Sequence, residues 1–260
     1  MFTFIDSIDD LAYLNKELSH SSYIGVDTEF RRTKKDNMKL ALLQVNDDEE
    51  IYLIDTLSID NPEDHANFLF SKNVTKILHS CKEDLEAVFA WTNQLMENVF
   101  DTQIANSFLD GEYTISYQGL VQQELGISLE KNETRSNWLR RPLSDSQLKY
   151  ASLDVEYLIH IYKSQKEALS RSNKLNWLYQ DIEKLLNTSF HFTADSLELE
   201  RSLTKFKEAE MLNKFNDIVT KIAVREKINP TLFFSKKAQQ YFLRMVLING
   251  LDYACDNITA

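Results

Sequence analysis

Tyr23-Ile24-Gly25-Val26-Asp27-Thr28-Glu29-Phe30 places two carboxylates inside a run of aromatic and β-branched residues. Such a run favours a β-strand, and side chains two apart on a strand share a face, so Asp27 and Glu29 point the same way. Two carboxylates on one face repel each other unless a cation intervenes. A lone pair of this kind is most often a solvated strand end, so the surrounding chain decides its meaning. Working outward, residues 39–45, 51–54 and 75–79 also read as strands, with Asp47-Asp48-Glu49-Glu50 as the turn between the first two. Helical spacing is expected over 7–19, 62–70, 83–92, 102–109, 117–125 and 144–170. That order implies a mixed sheet flanked by helices, the α/β class.

Three further segments carry acidic groups in positions where divalent ions would be held. Lys76-Ile77-Leu78-His79-Ser80 reads as a short buried strand followed by a helix, with Asp84 in the first helical turn. Asp101-Thr102 follows Val99-Phe100 and reads as a helix start, with either residue as the cap. After the Ser144 start signal, apolar residues recur at helical spacing and put Tyr150 and Asp154 one turn apart on a common face. Each piece alone has an ordinary reading, such as a first-turn acid favoured by the helix dipole. Their order, and the tyrosine four residues before the last aspartate, make a narrower pattern that points to metal-dependent phosphodiester hydrolysis.

The chain of 260 residues has a formal net charge of -11 and a pI near 5.0, which argues against a protein that coats polyanions nonspecifically. Local charge runs the other way. Arg31, Arg32, Lys34, Lys35 and Lys39 follow the first acidic pair, and Arg135, Arg140 and Arg141 precede Tyr150, in positions suited to phosphates or to plain solvation. Cys81 and Cys255 are too few for a disulfide framework or a cysteine-rich zinc site. The N-terminus shows no secretory signal, and the longest apolar run, Met245-Val246-Leu247-Ile248, is far short of a membrane span. A cytoplasmic location without membrane association is the simplest expectation.

After about residue 170 the strand signals vanish. Residues 175–186 form an amphipathic pattern, a polar break follows at Asn187-Thr188-Ser189, and helical periodicity resumes from Leu203, with Pro230 marking a new helix start.

These motifs resemble those of ribonuclease D-type 3′-to-5′ exonucleases of the DEDD superfamily, in the subgroup whose third motif carries a tyrosine. Asp27 to Phe30 corresponds to the first motif, His79-Ser80 through Glu83-Asp84-Leu85 with Asp101-Thr102-Gln103 to the second, and Tyr150 through Asp154 to the third. Residues 126–131 and 136–144, the latter containing Trp138-Leu139-Arg140-Arg141-Pro142-Leu143, add to the likeness, which covers about the first 165 residues. The resemblance implies a ribonuclease H-like exonuclease fold and two divalent ions, Mg2+ or Mn2+. Asp27, Glu29 and Asp154 would hold the ion that binds the attacking water. Asp27 would bridge to a second ion supported by Asp84, and Tyr150 would orient the water. Thr28, Phe30, His79, Arg31, Arg140 and Arg141 become candidate substrate contacts, with Phe30 stacking on a terminal base or filling the core. The implied substrate is RNA with a free 3′ end, such as a tRNA precursor. The implied division is an exonuclease domain over 1–170, a helical linker over 171–200 and a short HRDC-like helical domain over 201–260. A DNA-directed exonuclease and a catalytically silent RNA-binding scaffold are the competing readings.

Overall fold

The computed structural model describes residues 2–34, 37–109, 111–112, 114–129, 133, 136–190, 205–227, 234–249, 251 and 254–255. They fall into two compact units, Met1–Ser189 and Phe190–Ala260.

The first unit is built on a six-stranded mixed sheet. Its strands are β1 (Phe2–Ile5), β2 (Tyr23–Lys34), β3 (Asn37–Asn46), β4 (Ile51–Ile54), β5 (Thr75–Leu78) and β6 (Val99–Asp101), in the spatial order β1-β4-β3-β2-β5-β6. β2, β3 and β4 form an antiparallel meander, while β1, β5 and β6 join in parallel. The helices are α1 (Ile8–Leu18), α2 (Lys82–Thr92), α3 (Thr102–Phe108), α4 (Tyr117–Leu125), α5 (Asp145–Glu156), α6 (Leu158–Arg171) and α7 (Leu175–Phe190). The expected α/β class is therefore present. Strands β1 and β6 lie outside the expected set, and β6, with three residues, is too short to show a two-residue period in sequence.

β2 is the central element because both its faces are covered. Residues 25, 27 and 29 face α5 and α6, and the Thr28 hydroxyl on the other face donates to Asp84 at the start of α2. The core between α5 and the sheet contains Ala41, Leu42, Leu53, Trp138 and Ala151. Gly25 is what lets the α5–α6 junction approach. A Cβ there would lie 3.2 Å from the Leu158 Cβ and 3.4 Å from the Val155 carbonyl oxygen, with Asn46 Cβ at 3.5 Å.

Two expected helices take a different form. The segment 62–70 folds as two 3-10 turns, Pro62–Asp64 and Asn67–Leu69. Asn61 enters it in the left-handed region (φ 53°), His65 and Ala66 leave helical geometry, and the Phe68 N–H donates to the Asn15 side chain at 3.1 Å instead of to its own helix. The long helix expected over 144–170 is broken at Tyr157 (φ -104°, ψ -1°). There the Tyr157 N–H donates to the Tyr117 hydroxyl at 3.1 Å, and the Asn46 amide donates to the carbonyls of Val155 (3.0 Å) and Glu156 (3.2 Å). Tertiary partners thus replace the helical ladder. The start at Ser144 is a full capping box with Gln147.

In the second unit α8 (Lys205–Arg225) and α9 (Lys236–Asn249) are the described helices. They meet around Phe215, Phe234 and Phe242, whose ring centroids lie 5.5 to 6.2 Å apart. The Gln239 amide donates to the Phe234 carbonyl at 2.8 Å. Pro230 lies outside the described residues. No described helix is long and apolar enough to cross a membrane.

Candidate active site

Asp27, Glu29 and Asp154 converge from β2 and α5, and one carboxylate oxygen from each lies within 4.8 Å of the others. The strand period puts the first two on one face, and the close approach allowed by Gly25 brings the last turn of α5 over them. At that separation two full charges repel by about 3 kcal/mol or more at an effective dielectric near 20. Asp84, outside that 4.8 Å group, is buried in the first turn of α2, held by the Thr28 hydroxyl, and its charge acts on Asp27 and Glu29.

The electrostatics record the crowding. Burial, followed by the charges of Asp84, Asp154 and Glu29, raises the Asp27 carboxyl well above the ordinary range. Burial with Asp154 and Asp84 pushes Glu29 up to about 9. Burial raises Asp154 to about 7, and burial likewise raises Asp84 to about 7 against the opposing Thr28 hydrogen bond. A divalent cation is what would relieve this repulsion. The donors that converge are all carboxylate oxygens, which suits a hard ion such as Mg2+ or Mn2+ and not zinc. Cys81 is buried with its thiol raised by burial, and His79 is turned elsewhere.

These shifts predict an unusual pH dependence. All four carboxyls have folded-state values above their unfolded ones. Their stabilising contribution is thus present at the acid end and lost as pH rises through about 7 to 9. The melting temperature of metal-free protein is expected to fall from pH 5 to pH 9, and saturating Mg2+ to flatten that fall while releasing protons on binding. Melting curves in EDTA that hold level across this range would contradict the coupling.

Tyr150 lies one turn before Asp154 on α5, half-buried, with its ring 6.2 Å from that of Trp138. Phe30 is half-buried on β2, and Arg31, Lys39 and Arg140 are exposed. Arg135 and Lys35 lie outside the described residues, and for Lys34 only the strand position is described. Other expected contacts point inward. Arg32 pairs with Glu86 on α2 at 2.5 Å. His79 bonds Thr102 through Nδ1 (2.9 Å) and the Ile115 carbonyl through Nε2 (3.0 Å), and burial lowers its basicity. A carbonyl oxygen only accepts, so Nε2 carries a proton, and both ring nitrogens are engaged within the protein.

Arg141 differs most from its expected role as a substrate contact. Its Nε and Nη2 donate to the Asp55 carboxylate at 2.6 and 2.7 Å, Nη2 also to the Ala41 carbonyl, and Nη1 to the carbonyls of Trp138 and Arg140. All five N–H donors are satisfied within the protein. The residue fastens the loop carrying Trp138 to the sheet. Asp101 is likewise structural, because its carboxylate accepts from the N–H groups of Ser80 (3.2 Å), Cys81 (2.8 Å), Gln103 (2.8 Å) and Ile104 (3.1 Å). One side chain caps α3 and anchors the start of α2, where Ser80 turns through the left-handed region (φ 60°). Of the two cap candidates, Asp101 is the one that caps α3, and it stands outside the 4.8 Å carboxylate cluster.

Gly25, Asn46 and Tyr117 shape the site without having stood out in the sequence. Only Gly25 left a usable signal there, since glycine inside a strand marks close backbone approach. Gly25→Ala is expected to push the α5–α6 junction outward and weaken Mg2+ binding about tenfold, measured by calorimetry. Unchanged affinity would show that the junction absorbs the extra methyl group.

A family model described as 3′-5′ exonuclease matches residues 2–170. The chain belongs to that 3′-5′ exonuclease family. Ribonuclease D of Xanthomonas oryzae pv. oryzae is 42% identical to it over 168 residues, 65% of this chain and 46% of that protein. The chain spans about half the length of the curated relatives it matches. Among solved structures, Escherichia coli RNase D, described as an exoribonuclease involved in structured RNA processing, superposes with a TM-score of 0.73 at 24% identity, covering 98% of this chain and 69% of that one. Brucella melitensis NrnC with bound Mg2+ gives 0.59 at 20% identity, covering 72% and 89%. The mixed sheet is thus the ribonuclease H-like sheet of this exonuclease family, and all four acidic positions lie within the matched segment.

Proposed function

We propose that this chain is a metal-dependent 3′-to-5′ exoribonuclease of ribonuclease D type that releases nucleoside 5′-monophosphates from RNA ends such as tRNA precursors. The observation that carries this reading is the convergence of the Asp27, Glu29 and Asp154 carboxylates to within 4.8 Å, with Asp84 fixed beside them. Those four residues would hold two divalent ions, Mg2+ or Mn2+. When bound, such ions activate water and stabilise the leaving 3′ oxygen. Mg2+ in the NrnC structure supports the choice of ion.

The protein's own residues do the rest. Thr28 holds Asp84 in place, and the capping box at Ser144 fixes the helix that presents Tyr150 and Asp154. Tyr150, braced by Trp138, orients the attacking water through its hydroxyl. Exposed Arg31 and Arg140 grip phosphates, and half-buried Phe30 stacks on the terminal base. The segment 201–260 acts as a short HRDC-like RNA grip joined through 171–200, with exposed Lys236 and Lys237 at the start of α9. RNA is favoured over DNA by the ribonuclease D relatives, and a cytoplasmic site of action fits that substrate.

The test follows 5′-labelled single-stranded RNA and DNA of one sequence with Mg2+, with Mn2+ and with chelator. A metal-dependent ladder shortening from the 3′ end, faster on RNA, is expected. Equal or faster loss of DNA would redirect the reading to a DNA exonuclease, and binding without cleavage to a scaffold. Tyr150→Phe is expected to slow single-turnover cleavage about 10- to 100-fold with little change in RNA affinity. An unchanged rate would remove the orienting role.

A further inference from the structure

Gln44 is fully buried on β3, and neither its amide nitrogen nor its amide oxygen has a hydrogen-bond partner among the described residues. Its place in the sheet is specific. In the regular antiparallel register of β2 and β3, Gln44 stands directly opposite Asp27, between the pairs Glu29–Leu42 and Gly25–Asn46. Directly opposed residues share a face. The neighbours two residues away on β3 show what covers that face. Leu42 packs in the core with Ala151 of α5, and Asn46 reaches the carbonyls of Val155 and Glu156 at the end of α5. Gln44 therefore lies between these contacts, under the stretch of α5 that carries Asp154, with Asp27 beside it.

Leaving a buried amide without a partner is costly, which points to a partner for this one within the working site. The Asp27 carboxylate is the acceptor directly opposite it in the register, and the Trp138 indole N–H, in the core cluster with Leu42, is another buried polar group without a partner among the described residues. We propose that Gln44 is a positioning residue that donates from its side-chain amide to the Asp27 carboxylate in the metal-loaded protein. That bond would fix which carboxylate oxygens face the ions. The inference rests on the metal-dependent reading of the site, and the role is one of orienting a ligand and not of touching substrate.

Gln44→Met keeps the length and approximate volume of the side chain and removes the amide. Mn2+ affinity measured by calorimetry without RNA is expected to fall at least about tenfold, and cleavage with it. The melting temperature of the metal-free variant should stay level or rise, because a buried unsatisfied group has been removed. The same Mn2+ affinity as wild type would overturn the inference, as would a shift in tryptophan emission with affinity intact, which would assign Gln44 to Trp138. A second measurement needs no variant to fold: the side-chain amide signals of Gln44 in 15N-labelled wild-type protein should move on Mg2+ saturation. Signals that stay in place would overturn it. Wild-type protein that binds no Mn2+ would bring down the metal reading and this inference together, whereas wild-type binding with an indifferent variant overturns the inference alone.

Discussion

Asp27→Ala is expected to cut RNA cleavage by at least about a thousandfold, because it removes a ligand worth several kcal/mol of transition-state stabilisation, and each 1.36 kcal/mol is tenfold in rate. The same substitution should stabilise the metal-free protein. Asp27 is pressed by the charges of Asp84, Asp154 and Glu29, and losing it relieves three repulsions at once without emptying the core. Opposite signs for activity and stability distinguish a ligand from a packing residue. Single-turnover cleavage in saturating Mg2+ and a melt in EDTA measure both. A variant that keeps wild-type rates would remove the acidic cluster as the site, and one that melts lower without metal would show Asp27 to be structural.

Arg141→Ala is expected to destabilise the first unit by about 3 kcal/mol, near the lower bound for breaking a buried ion pair. Asp55 is 4% exposed, and its carboxyl stays below the ordinary range because Arg141 outweighs the effect of burial. Without the guanidinium, that buried charge keeps only the Leu57 N–H and the Ser58 hydroxyl, and the carbonyls of Ala41, Trp138 and Arg140 lose their donor. Since Arg141 itself is 26% exposed, solvent softens the loss. Urea unfolding measures it. A midpoint within experimental error of wild type would return Arg141 to the list of substrate contacts.

The contrast between these residues explains what could be read in advance. The pair Asp27 and Glu29 was legible because strand geometry alone aligns them, and Tyr150 with Asp154 because helix geometry does. Convergence of the two pairs rests on Gly25 and on Asn46 capturing the end of α5, contacts between residues more than a hundred positions apart. Periodicity carries no trace of such a contact. Arg140 and Arg141 are adjacent and chemically identical in sequence, yet one is exposed and the other has every donor bonded within the protein, because only the burial of Asp55 tells them apart. The break at Tyr157 was hidden for the same reason: its cause is a hydroxyl from Tyr117, forty residues earlier. Strand β6 has no legible trace because three residues cannot show a period, although its last residue is one of the two cap candidates the sequence offers.

Asp101 has a consequence for the order in which the molecule forms. The first turn of α2, which carries Asp84, is anchored by a carboxylate twenty residues downstream, at the end of a strand that pairs with β5. Asp84 therefore reaches its final position only after β6 has docked. Asp27 and Glu29, near the start of the chain, wait longer still, for the arrival of Asp154. Because such long-range closures come late in folding, a partly folded or nascent chain holds an incomplete set of carboxylates. On the proposed reading, nuclease competence is thereby tied to completion of the whole sheet-and-helix unit.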